Sequence, residues 1–214
     1  MKLDGPRLPA ASGTARQLVV FLHGYGADGN DLIALGREWA PLLPDAAFVS
    51  PHAPEACAGA PMGRQWFGLT FRDPGERWRG VNNAHPSLDA FLDEELARHG
   101  LPPEKLALVG FSQGAMMALH TGLRRAAAPA GVVAFSGALV GPEHLAEATA
   151  RPPVLLLHGT HDEVVPFEAL IQALEGFTKA GMAAEFHFGH GLGHGIDGEG
   201  LRHAGEFLAA AFRR

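Results

Sequence analysis

Apolar residues along this chain gather in short runs, separated by turns and by longer segments with helical spacing. Several of these runs are continuous rather than alternating, as in Val154-Leu155-Leu156-Leu157. Continuous apolar runs of this length are typical of strands that are covered on both faces, as in parallel sheets. The pattern predicts six strands, at residues 17–23, 46–50, 105–109, 131–135, 154–158 and 183–188.

Helical periodicity falls between these runs. Apolar positions share one face in each of two predicted helices, the first with Leu88, Phe91, Leu92 and Leu96 and the second with Leu170, Ala173, Leu174 and Phe177. Strands that alternate with helices favour an α/β fold, with an open, mostly parallel central sheet and helices on both faces. There is no internal repeat and no linker, so residues 1–214 are expected to form a single domain without a separate cap domain.

Residues 51–86 interrupt the alternation of strands and helices, because the segment is rich in proline and has little periodicity. Long irregular segments in compact domains are usually either disordered or functional. The aromatic residues Trp66, Phe67 and Trp78 argue against disorder, since such side chains normally pack. The segment is therefore expected to form a wall over the functional site.

Ser112 stands at the centre of a G-x-S-x-G pattern over residues 110–114, between a strand-like run and a helix-like run. Such a sharp turn pushes the serine Oγ out to where a base and a substrate can reach it. Gly110 and Gly114 leave room where strand and helix cross closely. The sequence therefore predicts that Ser112 is a nucleophile.

A serine nucleophile needs a histidine base and a carboxylate that orients the base. In folds of this type the chain order is serine, acid and histidine, and the last two lie on loops after later strands. Asp162 follows the strand at 154–158 closely and is favoured over its neighbour Glu163, although a turn or capping role is the alternative. Asp197 comes after every plausible base.

The base is expected in the glycine-rich segment 189–195, which contains His190 and His194. Glycine neighbours allow either imidazole ring to be aimed freely. The position next to the last helical segment favours His194, but the spacing alone leaves His190 open.

The charge that develops on a substrate carbonyl oxygen needs backbone N–H donors. Gln113, the residue after the nucleophile, is expected to supply one of them, and the glycine-rich loop at residues 22–29 the other. The spacing Gly24-x-Gly26-x-x-Gly29 also matches a dinucleotide-binding loop. No acidic residue ends the next strand of a following βαβ unit, so that alternative is not favoured.

A metal site is another alternative, because six residues of ligand type lie near one another in the sequence: His158, His161, Asp162, His187, His190 and His194. They form neither an H-E-x-x-H helix nor a Cys–His ligand set. Several of them are already needed for a serine triad, so no metal site is expected.

The composition excludes several classes of partner and location. The net charge is −6, and the 17 Lys and Arg residues are scattered, which argues against a nucleic-acid-binding surface. Cys57 is the only cysteine, so no intramolecular disulfide can form, as is usual in a reducing compartment. No apolar stretch has the length of a signal peptide or a membrane span, so a cytoplasmic location without stable membrane insertion is expected.

Four segments together resemble the phospholipase/carboxylesterase family of α/β-hydrolases: residues 21–29, 110–114, 158–166 and 191–195. The resemblance spans nearly the whole chain. It implies an α/β-hydrolase fold and a catalytic triad of Ser112, Asp162 and His194. It also implies that the backbone N–H groups of Tyr25 and Gln113 form the oxyanion hole.

The same resemblance implies that Trp66 and Phe67 are the Trp-Phe pair of the family's substrate-binding wall. Acyl-protein thioesterases of the family often have leucine where this chain has Tyr25, which favours small esters over lipidated proteins. The expected activity is that of a serine carboxylesterase, which hydrolyses short- to medium-chain esters through an acyl-enzyme intermediate and needs no cofactor.

Two alternatives and one question stay open at this point. An acyl-protein thioesterase or a lysophospholipase would use the same triad, and a catalytically silent hydrolase-fold binding protein would use none. The sequence also leaves open whether the chain forms a homodimer.

Overall fold

The computed structural model describes residues 2–70 and 72–213. Its strands, in chain order, are β1 (Arg7–Leu8), β2 (Gln17–Leu22), β3 (Ala46–Val49), β4 (Glu55–Ala56), β5 (Arg64–Gln65), β6 (Leu106–Phe111), β7 (Gly131–Phe135), β8 (Val154–Gly159) and β9 (Glu185–Gly189). Its α-helices are α1 (Leu35–Trp39), α2 (Glu76–His99), α3 (Gln113–Gly122), α4 (Glu168–Lys179) and α5 (Gly198–Ala211). Two short 3₁₀ helices lie at Pro103–Lys105 and Pro142–Glu147.

Seven strands form one twisted sheet in the order β1-β3-β2-β6-β7-β8-β9. All neighbouring pairs are parallel except β1 with β3, which are antiparallel at the edge. Strands β4 and β5 form a separate antiparallel hairpin. The observed sheet agrees with the predicted α/β architecture, and each of the six predicted strands lies within two residues of its predicted ends.

Helices cover both faces of the sheet, which explains the continuous apolar runs. Alternate residues of β2 point to opposite sides: Leu18, Val20 and Leu22 pack in the layer of α2, α3 and α4. Val19 and Phe21 pack in the layer of α1 and α5. Every one of these five side chains is fully buried. A strand buried on both faces shows no polar alternation, so its sequence reads as an apolar run.

Helix α2 differs from the sequence prediction, because it begins at Glu76 and contains Pro86 in its interior. The irregular segment, predicted to end at residue 86, therefore ends at Gly75, eleven residues earlier than expected. The first half of α2 buries few apolar residues, mainly Val81 and Ala84, so its helical spacing is weak in the sequence. Proline inside a helix removes one backbone hydrogen bond, and the long apolar face after it keeps the helix together.

The carboxyl ends of β2, β6, β8 and β9 lie at one edge of the sheet, because these strands are parallel. The loops after these strands carry Tyr25, Ser112, Asp162 and His194, respectively. In open α/β sheets this edge is where ligands bind. Of the helices within residues 2–70 and 72–213, none has both the length and the hydropathy needed to cross a bilayer.

His120 lies in the packed layer between α2 and α3 and is 2% exposed. Its ring contacts those of Trp78 and His85 at centroid distances of 5.5 and 5.6 Å, both edge-on. Neither ring nitrogen has a hydrogen-bond partner within the part of the chain that the structure describes. Burial, together with the nearby charges of Arg124 and His85, lowers the pKa of His120 to about 3.

This buried histidine should make the fold sensitive to acid. The unfolded chain takes up the proton near pH 6.5, whereas folded His120 stays neutral down to about pH 3, so protons favour unfolding between these values. We expect His120→Leu to reduce the loss of stability between pH 6.5 and 5, by up to about 1.4 kcal/mol per pH unit. Urea unfolding at several pH values measures this slope.

The exposed His190 provides the control for this experiment. His190→Leu should leave the pH slope of the wild-type chain unchanged. Equal slopes for the wild-type and His120→Leu chains would show that His120 is not the group responsible.

Candidate active site

Ser112 forms the turn between β6 and α3 and has φ 54° and ψ −116°, which few residues other than glycine adopt. Its backbone N–H donates to the carbonyl of Phe135 at the end of β7 (2.9 Å), which ties the turn to the sheet. A Cβ at Gly110 would lie 2.2 Å from the carbonyl oxygen of Gly114, and one at Gly114 would lie 1.9 Å from that of Leu22. Both glycines are therefore needed for the close crossing of strand and helix, as the sequence predicts.

Asp162 and His194 meet from the loops after β8 and β9. Nδ1 of His194 lies 2.7 Å from Oδ2 of Asp162, and the Asp162 side chain is fully buried. The other carboxylate oxygen accepts hydrogen bonds from the backbone N–H groups of Val164 and Val165, each at 2.9 Å. The carboxylate is thus held in one orientation, from which it fixes the His194 ring.

The charge of Asp162 is stabilised by these same contacts. Burial alone would raise the pKa of this carboxyl, but the hydrogen bonds from His194 and from the backbone of Val165 and Val164 outweigh it. The net result is a pKa below the usual value. Asp162 is therefore an anion wherever His194 acts as a base.

His158 supports the turn that carries Asp162. Its Nε2 lies 2.8 Å from the carbonyl oxygen of Val165 and 3.4 Å from Oδ2 of Asp162, and the ring is buried. This N–H can donate to the carbonyl, which closes the turn from Asp162 to Val165. Only the fold reveals this supporting role.

The other residues considered from the sequence as base or acid form no hydrogen bond with Ser112 or His194 in the part of the chain that the structure describes. His190 is exposed, with its ring 6.3 Å from that of His161, and it does not line the cavity at Ser112. Glu163 is exposed. Asp197 is the N-cap of α5, where its Oδ1 accepts a hydrogen bond from the backbone N–H of Gly200 at 2.7 Å.

Tyr25 and Gln113 both line the cavity that contains Ser112 and His194. Within residues 2–70 and 72–213, neither of their backbone N–H groups donates to a carbonyl or side chain. The N–H of Gln113 is free because this residue opens α3, where the first N–H groups have no partner inside the helix. Two residues with free N–H donors thus line the same cavity as Ser112, and an oxyanion requires such donors.

His23 orients the peptide of Tyr25. Its Nε2 accepts a hydrogen bond from the backbone N–H of Ala53 (3.0 Å), so Nδ1 carries the proton and donates to the Gly24 carbonyl (2.8 Å). Because a trans peptide points its C=O and N–H in opposite directions, this contact turns the Tyr25 N–H away from His23. Burial lowers the pKa of His23, which keeps the ring in the neutral form that these two contacts need.

The cavity at Ser112 has a volume of about 230 Å³. Its walls are mainly apolar and include Leu69, Met116, Val164 and Val165. Two charged residues, Asp31 and Arg77, also line it. None of these six was singled out from the sequence as a wall residue, although Val164 and Val165 belong to the 158–166 segment that carries the resemblance.

A family model described as Phospholipase/Carboxylesterase matches residues 4–212. The chain belongs to the phospholipase/carboxylesterase family. This finding confirms the family resemblance read from the sequence, and with it the α/β-hydrolase fold.

Individual members of the phospholipase/carboxylesterase family and their structures agree with this assignment. Esterase YpfH of Escherichia coli is 31% identical over 209 residues, which are 97% of this chain and 88% of that protein. Acyl-protein thioesterase 1 of Saccharomyces cerevisiae is 30% identical over 200 residues, which are 87% of this chain and 88% of that protein. The crystal structure of esterase PE8 is 48% identical with a TM-score of 0.95, and the match covers 99% of this chain and 100% of that one.

The phospholipase/carboxylesterase resemblance implies that Trp66 and Phe67 contact substrate, but the structure does not bring them into the walls of the Ser112 cavity. Both are buried, and the indole N–H of Trp66 donates to the carbonyl of His23 at 3.0 Å. The side-chain amide of Gln113 accepts a hydrogen bond from the backbone N–H of Trp66 (2.9 Å) and donates one to the backbone carbonyl of Phe67 (2.8 Å). The pair therefore holds Gln113, the residue after Ser112, and lines a different cavity, beside α2.

Asp162→Asn should lower kcat by about 10³- to 10⁴-fold in this phospholipase/carboxylesterase chain. An amide at this position would favour the wrong imidazole tautomer, because its NH₂ group donates where the carboxylate now accepts from His194. Steady-state ester hydrolysis measures the effect. The matched control, Glu163→Gln, should change kcat by no more than several-fold, and equal losses in both variants would contradict a role for Asp162 as the acid that orients His194.

Proposed function

We propose that this chain is a serine carboxylesterase in which Ser112 is the nucleophile, His194 the base and Asp162 the residue that orients the base. The observation that carries the proposal is the convergence of Ser112, the His194–Asp162 pair and two free backbone N–H groups on one cavity. The esterases among its relatives support the same activity.

The reaction follows from these positions. His194 takes the proton of Ser112 as Oγ attacks the ester carbonyl, and the N–H groups of Tyr25 and Gln113 stabilise the oxyanion. The imidazolium, stabilised by Asp162, then gives its proton to the departing alcohol, which leaves an acylated Ser112. Water attacks this acyl-enzyme with His194 again as base, and the carboxylic acid is released.

We propose short- to medium-chain esters as the substrates, because the cavity is small as well as apolar. Its volume of about 230 Å³ is below the roughly 300–1,000 Å³ of pockets that enclose drug-sized ligands. Each methylene buried against Leu69 or Met116 should improve binding by about 0.8 kcal/mol until the cavity is full. Beyond that length, further methylenes should bring no gain.

A series of p-nitrophenyl esters of increasing acyl length tests this substrate range. We expect kcat/KM to rise and then fall along the series. Leu69→Phe should move the maximum to shorter chains and Leu69→Ala to longer ones, since Leu69 is a wall residue. A rate that still increases at palmitoyl length would contradict the proposal and favour lysophospholipase activity.

Thioester hydrolysis is the second candidate, because acyl-protein thioesterases are among the relatives. Oxygen esters and thioesters react through the same kind of tetrahedral intermediate, so the triad alone does not distinguish them. A matched thioester series with the same acyl groups separates the two. A higher kcat/KM for thioesters throughout would make thioesterase the better description.

We further propose that residues 1–214 act as one cytoplasmic domain. The single cysteine, Cys57, is buried and unpaired, as is usual in a reducing compartment. Both apolar core layers pack against the same sheet, which supports a single cooperative unit. Cell fractionation tests the location, one unfolding transition tests the single domain, and sedimentation decides whether a homodimer forms.

A further inference from the structure

Two histidines and a glutamate meet where β9 packs against α5. His187 is the third residue of β9, and Glu199 and His203 lie one helical turn apart on α5. One potential ligand atom from each of the three lies within 4.8 Å of the other two. None of the three lines the Ser112 cavity, so this cluster is separate from the proposed catalytic residues.

His187 has a buried ring nitrogen without an evident role. Its Nε2 is shielded from solvent and has no hydrogen-bond partner among residues 2–70 and 72–213. The His203 ring lies beside it, with centroids 4.3 Å apart and ring planes at 36°. No protein group among the described residues occupies this imidazole nitrogen, and it lies beside a second imidazole, so it is available as a metal ligand.

We propose that His187, Glu199 and His203 bind a divalent first-row transition-metal ion, with Zn²⁺ as the best fit. Two imidazole nitrogens and one carboxylate oxygen are a donor set that Zn²⁺ prefers, and the exposed side of the cluster leaves a fourth position for water. Tetrahedral ligands at about 2.0–2.1 Å from the metal lie about 3.3 Å apart. The exposed Glu199 side chain, now 3.8 Å from Nε2 of His203, has the freedom to close that gap.

The Arg202 guanidinium contacts one of the proposed ligand atoms and would compete with a metal ion for it. One of its guanidinium nitrogens lies 3.2 Å from Nε2 of His203, so a metal must displace it from the ring. The other terminal nitrogen donates to both carboxylate oxygens of Glu206, at 2.9 and 2.8 Å. Glu206 can therefore keep the guanidinium after displacement, and removal of the Arg202 charge should strengthen metal binding.

The position of the cluster gives the ion a structural role. Strand β9 ends just before the loop at residues 190–197, which carries His194, and α5 begins just after it. An ion held by His187 from β9 and by Glu199 and His203 from α5 ties the two ends of that loop together. The sequence did not suggest this set, because only the fold brings α5 next to β9; the one local signal is the i,i+4 spacing of Glu199 and His203.

Titration of the purified, EDTA-treated chain with Zn²⁺ tests the proposal by calorimetry, and the rise in Tm on adding Zn²⁺ gives a second readout. We expect one ion per chain. Glu199→Gln and His203→Gln should each weaken binding by more than about tenfold and abolish the rise in Tm, whereas Arg202→Gln should tighten binding. Co²⁺ should give the visible absorption of a tetrahedral site.

The control is the other histidine pair, His161 and His190, whose replacement by alanine should leave Zn²⁺ affinity unchanged. Glu199 is exposed, so its variant should fold even if a change at His187 does not. Absence of Zn²⁺ binding would overturn the proposal, as would binding that is indifferent to Glu199→Gln and His203→Gln or that is lost in the control. Because no readout depends on ester hydrolysis, failure of this proposal leaves the proposed esterase activity untouched.

Discussion

Ser112→Ala is expected to lower kcat for ester hydrolysis by about 10⁴-fold or more without unfolding the chain. The change removes the Oγ that is proposed to form the acyl-enzyme, while the cavity and the N–H groups of Tyr25 and Gln113 remain. Steady-state kinetics with a short-chain p-nitrophenyl ester measures the loss. A fluorophosphonate probe should label the wild-type chain and fail to label the variant.

Ser87→Ala is the matched control, because Ser87 lies on α2 and, among the described residues, its hydroxyl donates to the carbonyl of Ala84 and to no other group. It should retain wild-type kcat and labelling, and both variants should give the circular dichroism spectrum of the native fold. Hydrolysis at the wild-type rate by a folded Ser112→Ala chain would place the nucleophile elsewhere. Probe labelling would also separate an enzyme from a silent hydrolase-fold binding protein.

The second large effect is expected at His194. Replacement by alanine removes both the base for acylation and the acid for alcohol departure, so kcat should fall by about 10⁴-fold or more. His190→Ala, in the same glycine-rich loop, should change kcat by at most several-fold because its ring is exposed and outside the cavity. The comparison controls for any general disturbance of the loop. If His190→Ala proved the more damaging change, the triad would have to be redrawn around His190.

Strands buried on both faces were the easiest part of this fold to predict. Runs such as Val154-Leu155-Leu156-Leu157 are apolar because helices cover both sides of the sheet, and this signal is local. Strand β1 and the β4–β5 hairpin are two residues per strand, which is too short for any periodicity. The first half of α2 was hidden by Pro86, which usually ends a helix rather than lying inside one.

Some residues of the candidate site could likewise be predicted from the sequence, whereas others are revealed only by the fold. Ser112 is marked by a turn whose glycines leave no space for a Cβ, since a Cβ at either one would lie about 2 Å from a backbone oxygen, so the motif can be recognised in the sequence. Spacing alone does not choose between His194 and His190; the family resemblance favours His194, and in the structure it is His194 that lies against Asp162. The wall residue Leu69 has no sequence signal at all, because it reaches the cavity from an irregular segment. The resemblance implies a substrate-binding role for Trp66, but in the structure Trp66 contacts Gln113 and does not line the cavity at Ser112.

The backbone of Ser112 has a consequence for selection in the laboratory. A non-glycine residue at φ 54° and ψ −116° costs roughly 1–3 kcal/mol, and here it opens a helix in which every residue is buried. Glycine would adopt the same turn with less strain. A screen that rewards heat resistance alone would therefore favour glycine at position 112 and enrich inactive proteins, so directed evolution of this chain must select for turnover and stability together.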